Sequence, residues 1–205
     1  GCKNMSVHIW ISFAIASILI ISAPGPSVTY LVTTSATFGK KAAYSAIPGI
    51  FTGDLTAMII SLSGMGALLN MFPIAYETIK YIGFVYLIYL GCKTFKTEQR
   101  KITEIEQKNN WRQGFLLTFL NPKSIIFFAS FMPQFVVSDN SYMVQIFILG
   151  TTYLVIGLIN DFTYSFCADK IAGFLGRHSR EWIGRIGGIT MICTAFMMVL
   201  KTLKF

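Results

Sequence analysis

Six apolar runs, each long enough to cross a bilayer and joined by short polar links, constrain this chain more than any other feature. A helix rising 1.5 Å per residue needs about 20 apolar residues to span roughly 30 Å of hydrocarbon. The runs are Val7 to Ala36, interrupted by Pro24-Gly25-Pro26, then Ala42 to Leu69, Ile74 to Phe95, Gly114 to Val137, Tyr142 to Ala168 and Trp182 to Leu203. Little of the 205 residues is left over, and with 54% hydrophobic and 13% charged residues the chain lies outside the balance of soluble domains. The expectation is one all-α integral membrane domain over residues 1–205 with six transmembrane helices. Its halves are 1–95 and 114–205, joined by a cytoplasmic linker, 96–113. That linker, "KTEQRKITEIEQKNNWRQ", is mixed in sign, lacks a core-forming pattern and reads as solvated. Val7 to Ala23 runs on into more apolar sequence behind no basic leader beyond Lys3, so the first span is expected to be retained.

The net charge of +8 suggests anionic partners until the basic residues are sorted by side. Links one, three and five carry Lys40, Lys41, Lys93, Lys96, Arg100, Lys101, Lys108, Arg112, Lys170, Arg177, Arg180 and Arg185; the opposite side carries Lys3, Lys80, Lys201 and Lys204. The positive-inside rule puts the richer side in the cytoplasm and both termini outside. Topology thus accounts for the basic excess. No soluble basic face remains for nucleic acid, and no nucleic-acid role is expected.

Polar residues within the apolar runs carry the functional signal. An Asp or Lys at the centre of a span costs about 2.5 to 3.5 kcal/mol on insertion scales, so it needs a partner, a wet cavity or a function. Asp54 lies deep in the second run, in "PGIFTGDLTAM", directly after Gly49 and Gly53, whose GxxxG spacing lets another backbone approach the same helix face. Pro24, Gly25 and Pro26 break the first run by removing backbone donors and side-chain packing. Asn121, Pro122 and Lys123 put an amide, a helix breaker and a cation near the start of the fourth run, and aligning Ser27 with Ser124 superposes the two breakers. Each then sits in the first span of a three-span half, and the halves enter from opposite sides because three is odd. That is the arrangement of a 3+3 inverted repeat, with broken helices at PGP and NPK facing a substrate near the midplane. Unwound backbone survives in lipid only against protein or a water-filled cavity. Asp161, beside Asn160 in the fifth run, is the pseudo-symmetric counterpart of Asp54. Glu77 and Lys80, three apart, read as an interfacial salt bridge.

In order and spacing, "APGP", "GIFTGD", "YIGFVYLIYLGCKTF" and "GFLLTFLNPKSIIFFASFMPQF" resemble the lysine exporter superfamily, the LysE and RhtB-type amino-acid efflux carriers. The resemblance covers nearly the whole chain. It implies a bacterial inner-membrane secondary exporter of small amino acids or derivatives, of the homoserine, threonine or lysine type, driven by protons. The family's motifs fall on Pro24, Gly25 and Pro26, on Asp54, and on Asn121, Pro122 and Lys123; Asp161 is inferred from the residues alone. In such a carrier the breaks present backbone groups to a zwitterion, Asp54 binds its ammonium or carries the coupling proton, and Lys123 attracts its carboxylate.

Other classes fit less well. An intramembrane enzyme needs a nucleophile with a base or a metal, but His8 sits at a span edge and His178 in a basic link. Cys2, Cys92, Cys167 and Cys193 form no metal-ligand spacing and read as free thiols; no metal or cofactor is expected. A channel, or an exporter of another small polar solute, is the alternative. Gly184 and Gly188 form a second GxxxG that serves either a homodimer or packing within the chain.

Overall fold

The computed structural model of the protein describes residues 6–23, 25–65, 73–96, 104–137, 142–175 and 177–200, and among them all regular structure is helical. The helices are α1 (Val7–Ser22), α2 (Pro26–Phe38), α3 (Lys40–Tyr44), α4 (Ile47–Ile60), α5 (Pro73–Lys96), α6 (Glu104–Phe119), α7 (Pro122–Ile126), α8 (Tyr142–Leu175) and α9 (Arg177–Leu200). A π-helical turn, Ser61–Met65, extends α4; a second, Phe127–Phe131, and a 3₁₀ turn, Met132–Phe135, extend α7. Two stretches, Lys40–Ser63 and Tyr142–Phe174, are long and apolar enough to cross a membrane. Two more qualify if α1 with α2, at 56°, and Asn110–Phe119 with Lys123–Phe135, at 50°, each count as one span. The expectations for Pro24 and Cys2, and the side chains of Glu77 and Lys80, lie outside the described residues.

Two tight helix contacts organise the packing. α4 crosses α6 backbone to backbone: a Cβ on Gly49 would fall on the Trp111 carbonyl, one on Gly53 would meet the Phe115 carbonyl at 2.9 Å, and one on Gly114 would meet the Ala46 carbonyl at 2.5 Å. Only residues without side chains permit that approach. α5 packs along α9, where a Cβ on Gly91 would come within 2.9 Å of the Gly188 carbonyl, and Gly187 is covered by Thr33 of α2. Gly187 and Gly188 of α9 are therefore both covered within the chain.

The link read as solvated differs from that expectation over its second part. Helix α6 begins at Glu104, ten residues before the apolar run, and Asn110 is buried. Asn110 Nδ2 donates to the Ala42 carbonyl and Ser45 Oγ, both at 3.1 Å, while the Tyr30 hydroxyl lies 2.7 Å from Gln113 Oε1 and 3.0 Å from Asn110 Oδ1, donating to one at a time. Trp111, Phe115 and Phe119 stack one turn apart along another face. The charges of the segment hid this pattern: the amides of Asn110 and Gln113, with their hydrogen bonds, tie α6 to α2 and to the α3–α4 turn.

Two hydrophobic cores result. One gathers Tyr30, Leu31, Ala43, Ala46, Ile47, Ile50 and Leu117 with Leu87, Leu90 and Ala195. The other is aromatic, with Phe13, Phe127, Phe128 and Tyr153 around Met132 and Leu149, and Tyr153 lies 4.6 Å and 4.8 Å from the rings of Phe127 and Phe128. Residues of both cores, Ile50 from the first and Tyr153 from the second, reach a polar cavity.

Candidate functional site

The cavity encloses about 490 Å³, its open mouth included, and its wall takes residues from α1, α2, α4, α6, α7 and α8. On α8 the lining residues Tyr153, Gly157 and Asp161 recur every fourth position, and on α4 Ile50 and Asp54 do so, so each helix turns one stripe inward. Asp161 is buried at 7% exposure. Asp54 has a buried Oδ1 that accepts no hydrogen bond, and Asn160 Nδ2 is likewise buried without a partner. The cavity wall thus carries one unmatched acceptor and one unmatched donor, each costly to bury without a partner.

Both proline segments border this space. Gly25, Asn121 and Lys123 line it, Pro26 is buried in the first turn of α2, and Pro122 opens α7; Pro24 lies outside the described residues. At the start of α7 the Asn121 side chain accepts from the Lys123 amide at 3.0 Å, an N-cap of the usual kind. The start of α2 has Gly25 as N-cap and no side-chain cap. The first N–H groups of any helix lack intrahelical partners, and Ser27 and Val28, which carry two of them, line the cavity. Ser27 Oγ lies 3.2 Å from Thr118 Oγ1, joining α2 to α6 beside the breaks.

Lys123 stands at the rim with an exposed side chain, and its ammonium is engaged with backbone. Nζ donates to the Ile20 carbonyl at 2.6 Å and reaches the Ala23 carbonyl at 3.4 Å. Nearby, Tyr164 donates to the Ser22 carbonyl at 2.9 Å, and Ser22 Oγ lies 3.4 Å from Asn160 Oδ1.

Gly25, Asp54, Asn121, Lys123 and Asp161, each singled out from the sequence, thus meet on one cavity. Gly49 and Gly53 stand at the α4–α6 crossing. Tyr153 and Tyr164 were missed: a tyrosine inside an apolar run reads as lipid-facing filler. Only the fourfold spacing Tyr153, Gly157, Asp161 marked the stripe. Among the described residues no cluster of His, Cys, Asp or Glu could hold a metal, and Cys92, Cys167 and Cys193 are free and exposed.

Compared with known proteins, residues 18–202 match the family described as LysE type translocator. Among curated relatives, an uncharacterized membrane protein of Pseudomonas aeruginosa is 28% identical over 93% of this chain and 94% of its own length. An uncharacterized membrane protein of Vibrio cholerae is 28% identical over 86% of this chain and 87% of its own. A homoserine/homoserine lactone efflux protein of Salmonella typhi is 28% identical over 83% of this chain and 85% of its own. No solved structure matches significantly.

Proposed function

Since the match takes in nearly its whole length, the chain belongs to the LysE type translocator family, and on that premise we propose that it exports small amino acids or their derivatives across the bacterial inner membrane. It is a membrane transporter and not an enzyme. The proposed substrates are of the homoserine, threonine or lysine type, with the proton as coupling ion. The observation that carries this reading is that two acidic side chains from opposite halves, Asp54 and Asp161, border one cavity together with both proline segments.

The proposal includes six spans in a 3+3 inverted repeat. α1 with α2 and α6 with α7 are each one span broken at PGP or NPK. The span of α3 and α4 pairs with α8, and α5 pairs with α9. At 24 residues, α5 and α9 are each about 36 Å long, enough to cross the hydrocarbon. The packing supports this exchange: swapping halves turns the α4–α6 contact into α8 against α1, which is also present, and returns α5–α9 to itself. The basic links face the cytoplasm and both termini lie outside. The reading requires no homodimer.

In this carrier the substrate carboxylate is drawn to the uncapped start of α2, where the Lys123 ammonium adds positive charge: a Gly25 Cβ would stand 3.9 Å from Nζ. Asp54 takes the substrate ammonium or the coupling proton, and Asp161 faces the same cavity from the other half. Rocking one half against the other then exposes the site to alternate sides.

The test is efflux of labelled amino acids, preloaded as dipeptides, from cells expressing the native chain or Asp54→Asn, with and without an uncoupler. Export of a few compounds, stopped by both the mutation and the uncoupler, is expected. Export that survives Asp54→Asn removes that residue from the mechanism. A broad panel that shows no difference from empty cells, with the protein present in the membrane, removes the amino-acid assignment and favours a channel or another solute.

A further inference from the structure

The carbonyls at the end of α1 face an unusual shortage of donors. The last four carbonyls of a helix have no intrahelical partners and ordinarily take N–H groups from the residues that follow. Here two of the next four residues are Pro24 and Pro26, which have no N–H to give. Within a bilayer, water does not make up the deficit. The donors that do so are side chains from the other half of the chain: Lys123 Nζ on the Ile20 and Ala23 carbonyls, and the Tyr164 hydroxyl on the Ser22 carbonyl.

A helix C-terminus carries the negative end of the peptide dipoles, and its freed carbonyls, close to a buried carboxylate, form the kind of site that holds a monovalent cation in carriers with discontinuous helices. Three features meet at this one: carbonyls of Ile20 and Ser22 whose helical donors the sequence replaces with proline, an ammonium seated on Ile20 and on the neighbouring Ala23 carbonyl, and Asp54 and Asp161 on the walls of the adjoining cavity. We propose that the carbonyl end of α1 is a monovalent-cation site that the chain fills with its own Lys123 ammonium, so that no sodium binds there and the two halves stay tied until that ammonium leaves. The consequence for export rests on the transporter reading; the occupancy of the site does not.

The first readout is therefore thermal unfolding of the purified protein in detergent. Lys123→Ala empties the site, and its Tm should rise with methylammonium or sodium concentration by at least about 2 °C, as expected when a ligand binds only the folded state. The native protein should show no such rise with either ion. The second readout is export from proteoliposomes. Native export should be unchanged when sodium is replaced by choline, while Lys123→Ala should export at less than about a tenth of the native rate and recover with methylammonium. A Tm rise with sodium in the native protein, sodium-dependent native export, or undiminished export by Lys123→Ala each overturns the proposal. If Lys123→Ala gives no folded protein, Lys123→Arg decides: it keeps a cation on the carbonyls and should export without regard to sodium, and stimulation by sodium refutes the inference. A native chain that exports nothing, combined with cation-dependent stabilisation of Lys123→Ala, sinks the transporter reading and leaves the site standing.

Discussion

At the NPK segment the helix closes on itself: the Leu120 and Asn121 amides donate back to the Leu116 and Thr118 carbonyls at 3.0 and 3.1 Å, and the Asn121 side chain caps the next helix. At the PGP segment the preceding helix is finished by Lys123 and Tyr164 from the opposite half, and the following helix has no side-chain cap. The two segments occupy comparable places in the chain and border the same cavity. Their difference lies in which N–H groups proline deletes. A single proline three residues past the end, at Pro122, leaves the donors a helix end needs. Prolines two and four residues past the end, at Pro24 and Pro26, remove two of the next four, and the backbone becomes dependent on, and open to, whatever lies across the cavity.

The strongest way to break this contrast is to restore the donors. Replacing Pro24 and Pro26 together by Ala should let α1 run on and close its own carbonyls, removing an interruption worth about 3 kcal/mol or more per proline in a helix interior. Export should fall to background with the protein still in the membrane, as judged by efflux alongside immunoblotting. Pro122→Ala should retain at least about half of native export, because the end of α6 is already closed without it. Equal loss in both would erase the distinction between the segments.

Smaller effects sharpen it. Gly49→Ala places a methyl group on the Trp111 carbonyl at the α4–α6 crossing, and overpacking of this kind costs about 1–3 kcal/mol, read as a lowered Tm. Tyr164→Phe orphans the Ser22 carbonyl and should cost about 1–3 kcal/mol, since an unmatched acceptor in an apolar setting keeps its full desolvation penalty. Asn121→Ala removes only an N-cap. It should cost about 1 kcal/mol, with export near native. If Asn121→Ala proves costlier than Tyr164→Phe, the NPK segment is the dependent one. Cys92, Cys167 and Cys193, all exposed, should be replaceable by Ser within about 0.5 kcal/mol, as read by Tm, which leaves Cys2 as the one remaining thiol of the sequence.

Much of the cavity wall was legible because charge and helix-breaking residues are conspicuous in apolar sequence. Asp54, Asn121, Lys123 and Asp161 stood out for their cost in hydrocarbon, and the structure gathers them around one space. What stayed hidden was of three kinds. Tyr153 and Tyr164 look like any aromatic in an apolar run, and only contact with Phe127 or Ser22 gives them a role. The Ile20 and Ala23 carbonyls are backbone atoms, which no letter of the sequence distinguishes, so the double proline announced a break without saying what its loose ends would hold. Asn110 was concealed for a third reason: its surroundings are charged, and a buried amide there shows only when Ala42 and Ser45 are brought to it.

The cavity is walled by both halves, and this has a consequence for how the chain enters the membrane. Asp54 leaves the ribosome long before Thr118, Asn121, Lys123 and Asp161 have been synthesised. During that interval nascent α4 carries its carboxyl into the insertion machinery with no cavity yet built around it, at a cost of about 2.5 to 3.5 kcal/mol for a carboxylate at the centre of a span, borne by the apolar residues on either side. A truncated product ending before Asn121 is thus an early and exposed target for membrane quality control, and the newborn protein is committed to its site only when its second half arrives.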